Sequence, residues 1–231
     1  MRAYVLAVLA GSIFIVGCGE PKGAKVDILP QPYVVEPSTL VPPAPVIHEP
    51  GVTAPPRDPT LAWAPPPGST RQWRYIVIHH TASDIGSLGK IDQWHKSKGW
   101  DGCGYDFVIG NGTNSGDGQI QVSTRWMEQA TGAHTRLTSE FARQRGLTPN
   151  HYNEWGIGVV LVGNFDHSMP SPSQMASLAK LLNYLMARYQ IPESRVVTHG
   201  GVDQTHCPGR YFSRTQALLM ARAMRTVANA E

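Results

Sequence analysis

Residues 75–80 read Tyr-Ile-Val-Ile-His-His. A short apolar run, rich in β-branched side chains and free of charge, fits a strand buried on both faces. It is read as Tyr75–His79, so that His79 ends it. Downstream, Ser87 to Lys98 has helical spacing, with Leu88, Ile91, Trp94 and His95 on one face and Gly99 as its stop. Trp94 is expected in the core. Tyr105 to Ile109 reads as a second strand, closed by the turn pair Asn111-Gly112, and Gln119 to Val122 as a short edge strand. Ile157 to Val162 is a third buried strand and Arg195 to His199 a fourth. Ser171-Pro172-Ser173-Gln174 carries a capping-box pattern with proline at the first helical position. The helix it opens sets Met175, Leu178, Leu182, Leu185 and Tyr189 on one face. A last amphipathic helix runs from Ser213 to about Val227. Striped helices between fully apolar strands predict an α/β fold: a mixed, mostly buried central sheet flanked by about three helices, in one domain over 72–231.

The whole chain has 231 residues, 41% hydrophobic and 16% charged, enough for one medium domain with accessories. Twenty Lys+Arg against 17 Asp+Glu give a formal charge of +3, too small for a nucleic-acid binder that works by bulk charge. A monomer is expected. Three cysteines are too few for a disulfide framework.

The first cysteine belongs to the amino terminus. Arg2 precedes an apolar run from Val5 to Val16 that is shorter than the ~20 residues of a spanning helix, so 1–17 reads as a signal peptide. Ile15-Val16-Gly17-Cys18 resembles a bacterial lipobox, which implies a mature chain beginning at a lipidated Cys18. Fourteen of the 19 prolines fall between Pro21 and Pro67, so 18–71 is read as the lipidated cysteine and a proline-rich tether. The expected location is that of an exported bacterial lipoprotein. It would be anchored in the membrane through its lipid and face the cell wall, on the periplasmic side of the outer membrane in a Gram-negative cell.

Chemistry gathers at strand ends. His79 and His199 each close a strand, and Cys207 follows His199 by eight positions across a loop holding Gly200 and Gly201. Two imidazoles and a thiolate suit zinc, and three protein ligands leave a place for water. On spacing alone, a strand-end histidine is more often a hydrogen-bonded structural residue. A Cys103–Cys207 disulfide would remove the thiolate altogether.

Five blocks occur in order: Tyr75-Ile-Val-Ile-His-His-Thr-Ala82, Gly104-Tyr-Asp-Phe-Val-Ile109, Thr131-Gly-Ala-His-Thr135, Gly158-Val-Val-Leu-Val-Gly-Asn-Phe165, and His199 through Cys207-Pro-Gly209. Together they resemble the zinc-dependent N-acetylmuramoyl-L-alanine amidases of the type 2 class, which include phage endolysins and animal peptidoglycan recognition proteins. The resemblance implies one Zn²⁺ held by His79, His199 and Cys207, with His80 facing away as strand alternation requires. It implies catalytic roles for Tyr105 and Thr205, and substrate contacts for His134 and Asn153. Trp126 is a further candidate for stacking on substrate, as is Trp100, while His95 and His206 fit no ligand position. The implied partner is peptidoglycan or its muropeptides. The implied reaction is hydrolysis of the amide between N-acetylmuramic acid and L-alanine by zinc-activated water; the rival is a non-catalytic receptor of the same fold. Where some relatives carry a strand glutamate this chain has Val160, and Glu154 is nearby in sequence but sits in a different pattern.

Overall fold

The structure is a computed structural model and describes residues 59–69 and 71–228. The expected signal peptide and Cys18 lie outside the described residues. Five strands form one sheet: β1 (Tyr75–His80), β2 (Phe107–Ile109), β3 (Ile120–Val122), β4 (Gly156–Leu161) and β5 (Val196–Thr198), in the order β3-β2-β4-β1-β5. β1 pairs in parallel with β4 and β5, β2 in parallel with β4, and β3 antiparallel with β2 at the edge. The helices are α1 (Leu88–Ser97), α2 (Thr124–Met127), α3 (Ser139–Gln144), α4 (His151–Trp155), α5 (Pro172–Tyr189), α6 (His199–Val202) and α7 (Arg214–Ala228). The mixed α/β architecture is the expected one.

Alternation along the strands sorts side chains between two faces. Ile76, Ile78, Phe107, Ile109, Ile157, Val159 and Leu161 point to one side, where Leu178, Leu182 and Leu185 of α5 and Ala217 and Leu218 of α7 complete the main core. Val77, Val108 and Val160 point to the other. There Leu137, Ala142 and Tyr152 close one small cluster, and Ile91 of α1 with Cys103 another. His79 shares the face of Val77. His80 takes the opposite face, where its Nδ1 accepts the Phe165 N–H at 3.1 Å. α5 starts as its sequence dictates: Ser171 and Gln174 cap each other reciprocally and Pro172 opens the helix.

Several boundaries and placements differ from expectation. The tether was expected to reach residue 71, but Pro59–Trp63 forms a 3-10 helix and Trp63 is buried in the main core. Its indole edge meets Tyr184, and its carbonyl accepts the Trp126 indole N–H at 2.7 Å. Burying that large ring draws the chain onto the domain before Gln72. His199 does not end β5. Thr198 Oγ1 accepts the Gly201 N–H at 3.1 Å, which caps a new helix at His199. Trp94 is 57% exposed rather than buried, because only Ile91 and His95 of α1 are buried and its ring is covered instead by the Lys98 ammonium. The long segment 136–150 holds α3, capped by the Thr138 hydroxyl. Cys103 and Cys207 are both free thiols, so the disulfide alternative is not realised.

Candidate metal centre

β1 delivers His79 to the carboxyl end of the sheet, α6 starts there with His199, and the chain returns to bring Cys207 alongside. One potential ligand atom from each of these three residues lies within 4.8 Å of the others. His79 Nδ1 is 3.8 Å from Cys207 Sγ, and the His79 and His199 rings are 4.7 Å apart. Cys207 Sγ also accepts the His80 N–H at 3.4 Å, tying the sulfur to β1. Two imidazole nitrogens and one sulfur are the donor set of a three-ligand zinc site, so the residues present fit the metal. No closer grouping of His, Cys, Asp and Glu occurs among the described residues.

The electrostatics suit a site that takes a cation. Burial lowers His79 well below the ordinary histidine range, and His134, His199 and His80 push it further down. Burial lowers His199 against the opposing pull of Asp203. Both rings are therefore neutral at pH 7, with lone pairs to give. Burial raises the Cys207 thiol to about 11, so a bound dication is what would make it a thiolate. Cys103, raised to about 12 by burial, is an inert core thiol.

Around the ligands stands a layer of supporting groups. Asp203 Oδ2 lies 3.3 Å from His199 Nε2. A carboxylate there accepts the Nε2–H and leaves Nδ1 as the ligating nitrogen. The Tyr105 ring stands 5.2 Å from His79, edge to face, and burial raises its phenol. Tyr105 precedes β2 because the backbone of Gly104 is committed elsewhere: its carbonyl accepts the Ala133 N–H and its N–H donates to His95 Nδ1, each at 2.9 Å. Thr205 Oγ1 accepts the Cys207 N–H at 3.2 Å, so it shapes the ligand loop.

The three expected substrate contacts fare differently. Trp126 is wholly buried in the main core, packed on Phe107 and Trp73 with its N–H given to Trp63, and no surface of it remains for a ligand to stack on. That reading is corrected: the indole is large enough to organise the core, and α2 points it inward. His134 and Asn153 border a cavity of about 380 Å³ with Trp100, Arg136 and Asn150, yet their polar atoms bond within the protein. Asn153 Oδ1 accepts the N–H groups of His134 and Thr135, both at 2.8 Å, and its Nδ2 donates to Asn150. A second cavity of about 280 Å³ lies between Tyr105, His95, Trp94 and Lys90.

Glu154 is not at the site. It sits in α4, before the amino end of β4, where Gly156 pairs with Tyr75, whereas His79 pairs with Val160. Four strand residues, about 13 Å, separate the two levels. The sequence reading also missed two supports. Asp203 could have been found from its four-residue spacing after His199. Arg125 gave no local signal; its guanidinium bonds the carbonyls of Cys103 and Thr131 and pairs with Asp101, bracing the loop that carries Tyr105.

Residues 69–210 match a family described as N-acetylmuramoyl-L-alanine amidase. Among solved structures, N-acetylmuramoyl-L-alanine amidase LysC from Clostridium intestinale is 31% identical with a TM-score of 0.53, covering 67% of this chain and 91% of that one. Peptidoglycan-recognition protein SC2 of Drosophila melanogaster is 30% identical over 145 residues, 58% of this chain and 67% of that protein. An N-acetylmuramoyl-L-alanine amidase of Mus musculus is 27% identical over 150 residues, 58% of this chain but 24% of that protein.

Proposed function

This chain belongs to the N-acetylmuramoyl-L-alanine amidase family, and from that premise we propose that it is a zinc hydrolase cutting the amide between N-acetylmuramic acid and the L-alanine of the stem peptide. The observation that carries the proposal is the cluster of His79, His199 and Cys207 within 4.8 Å, with Tyr105 against His79. These three residues would hold Zn²⁺. When bound, the metal supplies Lewis acidity, polarising a carbonyl and lowering the pKa of water.

The protein's own groups do the rest. Tyr105 can donate a hydrogen bond from its phenol to an oxygen gaining negative charge, and burial keeps the phenol protonated for that task. Asp203 and the β1 backbone orient His199 and Cys207. Thr205 holds the Cys207 loop. Water adds to the lactyl carbonyl carbon, the C–N bond breaks, and the alanine amine leaves with a proton.

We further propose that the mature chain begins at a lipidated Cys18, so that the enzyme works on peptidoglycan from a membrane anchor. Purified muropeptide is the test substrate, with products read by mass spectrometry. Free stem peptide and peptide-free glycan should appear with zinc and vanish with a chelator. Binding without release at full zinc occupancy would make the protein a receptor instead.

A further inference from the structure

His134 occupies an unusual place for a residue expected to meet substrate. Its side chain reaches inward beneath the metal-ligand cluster. Nε2 lies 3.2 Å from the Gly156 carbonyl, and Nδ1 lies 3.1 Å from Nε2 of His79. The ring fits a slot without spare room: a Cβ at Gly132 or Gly158 would come within 2.6 and 2.5 Å of its Cδ2. Asn153 fixes the backbone that enters the slot.

The partners dictate where the protons are. A carbonyl oxygen only accepts, so His134 Nε2 carries its hydrogen. The neutral ring then has a lone pair at Nδ1. His79 Nε2 faces that lone pair and must itself carry a hydrogen; otherwise two lone pairs would oppose each other at 3.1 Å. This leaves Nδ1 of His79 unprotonated, and Nδ1 is the nitrogen 3.8 Å from Cys207 Sγ. The Thr135 hydroxyl, also 3.1 Å from His134 Nδ1, supplies a second donor to the same lone pair.

We propose that His134 is a positioning residue that selects the tautomer and ring orientation of His79, so that Nδ1 is presented to the metal. The inference rests on the reading of His79, His199 and Cys207 as a metal site. It gives His79 a neutral imidazole as its outer partner where His199 has a carboxylate. Metal-ligating histidines generally depend on such partners, whose loss costs roughly 10–100-fold in affinity or activity.

Two measurements on the full-length protein test it. In metal-free wild type labelled with ¹⁵N-histidine, long-range ¹H–¹⁵N correlation should show both His79 and His134 protonated at Nε2. A proton on Nδ1 of His79 would overturn the proposal without any variant. Zinc affinity is then compared across wild type, His134→Leu and His134→Asn. The leucine should weaken zinc by roughly 10–100-fold and let His79 sample both tautomers. Asparagine, whose Oδ1 stands near the position of Nδ1, should recover most of the affinity and the Nε2–H tautomer. Equal zinc affinity in wild type and a folded His134→Leu, with the His79 tautomer unchanged, would also overturn it. A wild type that binds no zinc would instead sink the underlying metal site.

Discussion

Asp106 and Gly158 are joined by two hydrogen bonds just before the amino end of β2: the Gly158 N–H donates to Asp106 Oδ2 at 2.7 Å, and the Asp106 N–H donates to the Gly158 carbonyl at 2.9 Å. The carboxyl is fully buried, and its other oxygen has no hydrogen-bond partner. Burial raises it from 3.8 to about 7, against weaker opposing pulls from the Gly158 bond and from Arg125 and Arg71. The folded protein thus holds a proton that the unfolded chain gives up near pH 4. The stabilisation that this proton brings is full below pH 4 and is lost as pH rises to about 7. Asp106→Asn keeps the oxygen that accepts from Gly158 and cannot ionise. Its stability relative to wild type should therefore climb between pH 4 and 8, by on the order of 2–4 kcal/mol. Denaturant midpoints at both pH values check this; a constant difference would refute it.

Zinc uptake should release about one proton at pH 7, because ligand binding requires a thiolate and burial holds the metal-free Cys207 thiol at about 11 while both ligand histidines are already neutral. Calorimetry in buffers of different ionisation enthalpy counts that proton. Cys207→Ser should bind zinc more weakly, release no proton and lose hydrolysis.

Tyr105→Phe removes one hydroxyl and leaves the ring against His79. Loss of a single donor to a developing oxyanion costs about 2.7–4 kcal/mol, or roughly 10²–10³ in kcat. Muropeptide hydrolysis should fall by that factor, with zinc content and muropeptide affinity unchanged. A wild-type rate would remove the phenol from the reaction.

Trp126→Ala should act on stability alone. Emptying a wholly buried tryptophan site costs about 3–5 kcal/mol, here with the hydrogen bond to the Trp63 carbonyl lost as well. The thermal midpoint should fall sharply while KM, measured below the new midpoint, stays put. A raised KM would restore the substrate role that the structure denies.

Cys18→Ala should stop the protein partitioning with membranes, or stall its processing, if the Ile15-Val16-Gly17-Cys18 stretch is read as a lipobox. Intact-mass analysis of the mature wild type should show acyl groups on an amino-terminal Cys18. A mature chain that starts elsewhere without them would refute the anchor.

The sequence by itself determined the elements of the sheet and singled out the candidate ligands. Apolar runs and helical spacing are local properties, so the first strand, the capped start of α5 and the edge strand could be read directly, within one residue of the observed Tyr75–His80 and Ile120–Val122. His79, His199 and Cys207 were legible because they sit inside recognisable blocks. What only the tertiary structure decided is which way each element faces and what lies behind it. Helical spacing put Trp94 on the stripe of Ile91 and His95, but how wide a stripe α1 buries depends on the surface it lies against, and Trp94 falls outside it. Trp126 went inward because Trp63, sixty-three positions earlier, closes over it. Glu154 is near β4 in sequence yet at the wrong end of a parallel strand. The bond between His134 and His79 spans 55 positions. No periodicity encodes such a contact, because it exists only once folding has brought the segment that carries His134 against strand β1.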